Sequence, residues 1–175
     1  AYVGDINYSH FRYDMVGQGR RQVGSTIKPF LYALAMESGY SPYDLAPNVE
    51  VTYQVGDQEW TPRNASSKRI GEMVTLKWGL AQSNNWISAW LMNQLSPELL
   101  VSLIHEFGVL NKEIDPTMSL CLGACEISVL EMVSAYTGFA KEGMRRAPRF
   151  VTKIEDSEGN VLATFTPNIQ HVISR

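Results

Sequence analysis

The sequence predicts an α+β domain that is mainly helical, with few strands. Three observations point there. Apolar residues recur at helical spacing in five stretches spread over residues 25–141. Helix-start signals stand in front of several of them, Ser96-Pro97 and Ser128-Val129-Leu130-Glu131 most clearly. Strand-like patterning is confined to the two ends, near residues 1–8 and 150–165, with one weaker stretch between.

Residues 1–8 read as a short strand, and residues 9–24 as a polar approach rich in Arg and Gly. A helix follows over about 25–38. Phe30, Leu31, Leu34 and Ala35 recur on one face, and Tyr32, Ala33 and Met36 widen the apolar arc, which predicts a largely buried helix. Pro29 suits only the first turn of such a helix, and Gly39 suits its end. Residues 40–74 read as irregular, punctuated by Pro42, Pro47, Gly56, Pro62 and Gly71, with a short strand at Val49–Val55. So long an irregular region is more often functional than idle. Helices are expected at about 75–82 and 86–95, separated by the turn-forming Ser83-Asn84-Asn85. A further helix runs from Ser96-Pro97 to near Gly108, and the capping box at Ser128 opens one that reaches about Lys141. A hairpin closes the pattern: Phe150–Asp156, a turn at 157–160, then Val161–Phe165.

Composition narrows the function classes. The chain has 175 residues, enough for a sizeable core. A net charge of −3 gives no electrostatic case for nucleic acid or an anionic membrane surface. No apolar run approaches the length of a membrane span. Ala1-Tyr2-Val3-Gly4-Asp5 reads as strand rather than leader and lacks an initiator Met, which predicts an excerpt of a longer protein. Cys121 and Cys125 have no His or further Cys near them to complete a zinc pattern, so two small, partly buried thiols are expected. His10, His105 and His171 are scattered, His105 in a helix where a structural role is expected. Asn64-Ala65-Ser66 matches a glycosylation acceptor by accident of composition.

The chemistry-bearing candidates are Ser25, Lys28, Ser83 and Asn85. In Ser25-Thr26-Ile27-Lys28 a hydroxyl and an amine stand one helical turn apart on one face. Serine is a weak nucleophile at neutral pH unless a neighbour takes its proton. A lysine can take it if burial lowers its pKa. With Pro29 restricting the helix start, Ser25 is expected at or next to the N-terminus, where free N–H groups favour an oxyanion. The bland account is an N-cap serine with a solvated lysine, and four residues alone do not exclude it. Ser83-Asn84-Asn85 likewise fits an ordinary helix–helix turn. Together the two form part of the set Ser-x-x-Lys, Ser-x-Asn and Lys-Thr-Gly.

At this point the chain resembles the transpeptidase domain of class A (bifunctional) penicillin-binding proteins. The matching stretches are Arg21 to Phe30, Trp60-Thr61-Pro62-Arg63-Asn64, Val74-Thr75-Leu76, Ala81 to Asn85, Leu120 to Ala124, and Leu130 to Tyr136 with Phe139-Ala140. They occur in the expected order between about Tyr2 and Phe165. The resemblance implies a β-lactamase/transpeptidase-like fold. It implies that Ser25 attacks the bond between the terminal D-alanines of a peptidoglycan stem peptide and that Lys28 is the general base. Ser83 would relay a proton to the leaving amine. Asn85 would bind the substrate amide and orient Lys28. A second stem peptide would take the acyl group, β-lactam antibiotics would trap Ser25, and no cofactor or metal would be needed. The parent would be membrane-anchored at the extracytoplasmic face of a bacterial cell, in the periplasm, with an upstream glycosyltransferase domain.

One departure matters. No Lys here is followed by Thr-Gly or Ser-Gly. Lys141-Glu142-Gly143 comes nearest, but it falls at a helix end where the family's motif lies on a strand. Residues 1–175 are therefore expected to be a partial domain: a first strand, a helical subdomain and a hairpin, without the third-motif strands and inactive alone. Three alternatives stay open. They are a β-lactam sensor domain that is acylated without turnover, a serine β-lactamase-like hydrolase, and a structural relic. No Glu-x-x-Leu-Asn segment supports the hydrolase.

Overall fold

The computed structural model of the protein describes residues 9, 10 and 12–174. The strand expected at residues 1–8 lies outside the described residues. Strand β1 (Arg20–Gln22) leads into a 3-10 turn at Gly24–Ile27 and then helix α1 (Lys28–Glu37). The helix thus begins three residues later than the sequence pattern predicts. Pro29 is the physical reason. It has no N–H to give the carbonyl of Ser25, so that carbonyl accepts instead from the N–H of Lys28, an i→i+3 closure. Thr26 adds to the tight turn, its Oγ1 donating to Val23 O at 2.7 Å.

The region expected to be irregular carries more strand than the sequence suggested. It holds β2 (Leu45–Pro47), β3 (Tyr53–Val55), β4 (Gln58–Trp60) and β5 (Met73–Thr75). β3 and β4 form a hairpin around Gly56, whose φ of +59° suits glycine. β2 pairs with β5, so the excursion closes on itself. The strand expected at Val49–Val55 starts only at Tyr53.

The predictions for the later helices hold within a residue or two. α2 (Leu76–Ala81), α3 (Asn85–Gln94) and α4 (Pro97–Glu106) each start at a side-chain cap, from Thr75, Asn84 and Ser96 respectively. A 3-10 turn at Met118–Leu122 and β6 (Glu126–Ser128) precede α5 (Val129–Ala140), which opens with the predicted capping box. Then come β7 (Met144–Arg146), β8 (Lys153–Glu155), β9 (Val161–Thr164) and β10 (Ile169–His171). β8 and β9 form the expected hairpin, while β1 pairs with β6 and β7 with β10. The sheet content described is therefore five separate antiparallel pairs.

α1 lies at the centre and packs against α2, α3 and α4. Ile27, Phe30 and Leu31 from its side meet Ile87, Leu91 and Met92 of α3 and Leu100, Ile104 and Phe107 of the α4 region in one buried core. Phe30, Phe107, Tyr136 and Phe139 form a ring cluster with centroids 5.0–5.6 Å apart. The hydroxyl of Tyr136 leaves that cluster to donate to Thr26 O at 2.7 Å, tying α5 to the turn that carries Ser25. Among the described residues no helix is long and apolar enough to cross a membrane.

Candidate active site

The 3-10 turn places Ser25 and Lys28 differently. Ser25 is exposed, whereas Lys28, the first residue of α1, is 1% exposed. Residues i and i+3 eclipse in such a turn, so the two side chains leave the backbone on the same face. Beneath them the 3-10 turn at Met118–Leu122 approaches so closely that only glycine fits. A Cβ on Gly123 would lie 2.0 Å from Gly24 O, and Gly123 has φ +79°.

The second half of the site arrives from the α2–α3 turn. Gln82 caps α2, and Ser83 follows in the left-handed region with φ +49°. A serine there costs of order 1 kcal/mol relative to glycine. The conformation turns both the carbonyl and the hydroxyl of Ser83 toward Lys28. The Nζ of Lys28 donates to Ser83 O at 2.6 Å, to Ser83 Oγ at 3.1 Å and to Asn85 Oδ1 at 2.6 Å. Ser25 Oγ is not among its acceptors in the described residues. Asn85 is oriented in turn, because its Nδ2 donates to Arg63 O at 2.6 Å and its backbone N–H donates to Asn64 Oδ1 at 3.0 Å. Trp86 Nε1 donates to Pro62 O at 2.9 Å, so the stretch Pro62–Asn64 clamps the start of α3.

The surroundings of Lys28 make its amine easier to deprotonate than an ordinary lysine. Burial lowers the Lys28 pKa from its ordinary 10.5 to about 8. An ionised Cys121 beside it would raise the value, but burial pushes that thiol up to about 12, so it is uncharged at neutral pH. A neutral amine has two N–H bonds and one lone pair. Ser83 O and Asn85 Oδ1 can only accept, so they take the two N–H bonds. The lone pair is left for a hydroxyl, that of Ser83 or of Ser25. That is the arrangement a lysine base requires.

Ser25, Ser83 and Asn85 line one recess of about 360 Å³, together with Asn64, Ala65, Ser66 and Gln82. A larger apolar groove of about 610 Å³ lies between α1, α2 and the end of α5. Its lining includes neither Ser25 nor Lys28, whereas the smaller recess is lined by Ser25, Ser83 and Asn85. The structure thus brings all four sequence-predicted residues together, across 55 residues between Lys28 and Ser83. Sequence reasoning missed the parts of Pro62, Arg63, Asn64 and Gly123. The proline-rich run and the Gly in a tight turn were visible, but their partners were not. Cys121 and Cys125 are both buried free thiols. His105 Nδ1 donates to Val109 O at 2.9 Å, a local structural contact.

The chain matches the model of the penicillin binding protein transpeptidase domain over residues 7–174. It is 32% identical over 164 residues to penicillin-binding protein 1A of Rickettsia conorii, covering 93% of this chain and 20% of that protein. The crystal structure of penicillin-binding protein 1A from Haemophilus influenzae superposes with a TM-score of 0.86 at 30% identity, over 95% of this chain and 25% of that one. The imipenem acyl-enzyme complex of penicillin-binding protein A from M. tuberculosis shares the fold, with a TM-score of 0.77 at 16% identity over 89% of this chain and 40% of that one. The chain spans about a fifth of the length of the curated relatives it matches. With the ordered Ser25–Lys28 and Ser83–Asn85 pairs at its centre, the chain belongs to the penicillin-binding protein transpeptidase domain family, of the class A kind represented by penicillin-binding protein 1A.

Proposed function

We propose that the parent of this chain is a peptidoglycan D,D-transpeptidase and that residues 1–175 supply its nucleophile, base and proton relay. The observation that carries this is the amine of Lys28, buried yet held by Ser83 and Asn85 from another part of the chain. Lys28 takes the proton as Ser25 Oγ attacks the carbonyl between the two terminal D-alanines. The proton passes through Ser83 to the departing amine, and the terminal D-alanine leaves. An amine of a second stem peptide then takes the acyl group from Ser25. Asn85 orients Lys28 through Oδ1, and its second Nδ2 hydrogen remains to donate to the substrate amide. β-Lactams enter as mimics of the dipeptide and remain on Ser25 as an acyl-enzyme.

The Lys-Thr-Gly strand belongs, in this reading, to a longer parent, as do an upstream glycosyltransferase domain and a membrane anchor. The parent then works at the extracytoplasmic face of the cell membrane. Such a strand completes the oxyanion hole begun by the Ser25 N–H. Loss of one oxyanion donor costs about 10²–10³ in rate, so the 175-residue chain alone labels at least that much more slowly than its parent. Intact-mass spectrometry of the full-length parent and its Ser25→Ala variant after exposure to penicillin tests the reading. One penicilloyl adduct on the parent and none on the variant is expected; equal labelling of the two overturns it.

A further inference from the structure

The segment Ser83-Asn84-Asn85 grips Lys28 with its two outer residues, and its middle residue points the other way. Asn84 is 0% exposed. Its Oδ1 caps α3 by accepting from Ile87 N at 3.1 Å, and its carbonyl accepts from Ser88 Oγ at 2.9 Å. Its Nδ2 donates to Asn48 Oδ1 at 2.8 Å. Asn48, just after β2, is also 0% exposed. Its Nδ2 donates to Lys68 O at 2.9 Å and Arg69 O at 2.7 Å. Its backbone closes the same loop, with Asn48 N donating to Glu72 O and Gly71 N donating to Asn48 O. One buried amide therefore joins two segments that meet behind the catalytic turn.

We infer that Asn48 is a positioning residue, which locks Asn84 from behind so that Ser83 and Asn85 face Lys28 in one arrangement. The inference rests on the acyl-serine reading above. A buried polar link of this kind is a poor choice for stability alone, since an apolar pair of similar shape does as well. It does fix direction. Ser83 sits in a left-handed conformation that persists only when its surroundings over-determine it, and Asn84 is the adjoining residue. Without the lock, Asn84 can turn, Ser83 can relax, and water can reach the amine.

The test uses the full-length parent, with acylation by a fluorescent penicillin followed across pH. Asn48→Leu removes the link. Asn48→Asp keeps the acceptor for Asn84 and, in the protonated form that burial favours, one donor for the loop. A misplacement near 1 Å can cost about 10²-fold, so the leucine variant is expected to acylate at least about tenfold more slowly. Its pH of half-maximal rate moves upward from the wild-type position as the amine regains solvent. The titratable group facing Lys28 is the Cys121 thiol, uncharged below about 12, so it does not move that midpoint. Asn48→Asp is expected to keep the wild-type midpoint. A mere loss of folded protein lowers the whole curve without moving its midpoint, so an unmoved midpoint in the leucine variant overturns the inference. Equal impairment in both variants also overturns it. If the leucine variant does not fold, Asn48→Ser, which cannot reach Asn84, carries the same two expectations. A wild-type parent that penicillin does not label overturns the acyl-serine reading itself.

Discussion

The turn around Lys28 and the β8–β9 hairpin are built on opposite principles. Lys28 is almost fully buried, and its amine is held by three oxygen atoms. The hairpin leaves Ile154, Val161 and Leu162 exposed and is held mainly by its own ladder, its only described ion pair being the exposed Lys153–Glu155. An exposed pair of that kind contributes at most about 1 kcal/mol. The contrast shows where this sequence commits its packing. Hydrogen bonding is concentrated around Lys28, the proposed base, while the hairpin follows local turn chemistry at Asp156–Asn160.

The sharpest way to break the comparison is to remove the proposed base. Lys28→Ala in the full-length parent should slow penicillin acylation by about 10²–10⁴-fold, the usual range for a general base. Stopped-flow labelling checks this, and a loss under threefold would place the base elsewhere. Next comes the support under the turn. Phe30→Ala removes the hub of the ring cluster and should lower stability by about 3–5 kcal/mol, read by denaturant unfolding.

Much of this frame is legible in the sequence. Phe30, Leu31, Leu34 and Ala35 announce the buried face of α1, and Ser96 and Ser128 announce caps that the structure contains. Those signals are local, so a single chain displays them. The 3-10 turn at Ser25 was hidden because it depends on the missing N–H of Pro29 rather than on apolar spacing. β2 and β5 were hidden for another reason. Their partners are more than two dozen residues apart, and three-residue strands carry too little alternation to be read alone. In the site, Ser25, Lys28, Ser83 and Asn85 were readable as motif. Asn64 and Gly123 act through contacts with distant backbone, which no local pattern records.

A smaller effect tests that backbone contact. Gly123→Ala puts a methyl group against Gly24 and into a left-handed φ, so a loss of about 1–3 kcal/mol is expected in thermal unfolding. Acylation by penicillin should fall along with it, since Gly24 adjoins Ser25. An unchanged rate would mean the turn tolerates the shift. At the other pole, Leu162→Thr on the exposed hairpin should change stability by no more than about 0.5 kcal/mol and leave acylation unchanged. A large loss there would show that the hairpin is as tightly coupled as the turn.

The most direct test of a prepositioned Lys28 with a lowered pKa is the pH dependence of acylation by penicillin in the full-length parent. Its pKa is lowered in the folded protein from 10.5 to about 8. The reactive amine is the deprotonated form, so the rate should climb about tenfold per pH unit below 8 and level off above it. Between about 8 and 10.5 the unfolded chain holds the proton that the folded one has lost, so stability should rise with pH across that window. A rate that climbs to a plateau near pH 8, and loses that step in Lys28→Ala, is the predicted result. A wild-type profile that is flat from about pH 6 to 9, or one that falls as pH rises, would contradict it.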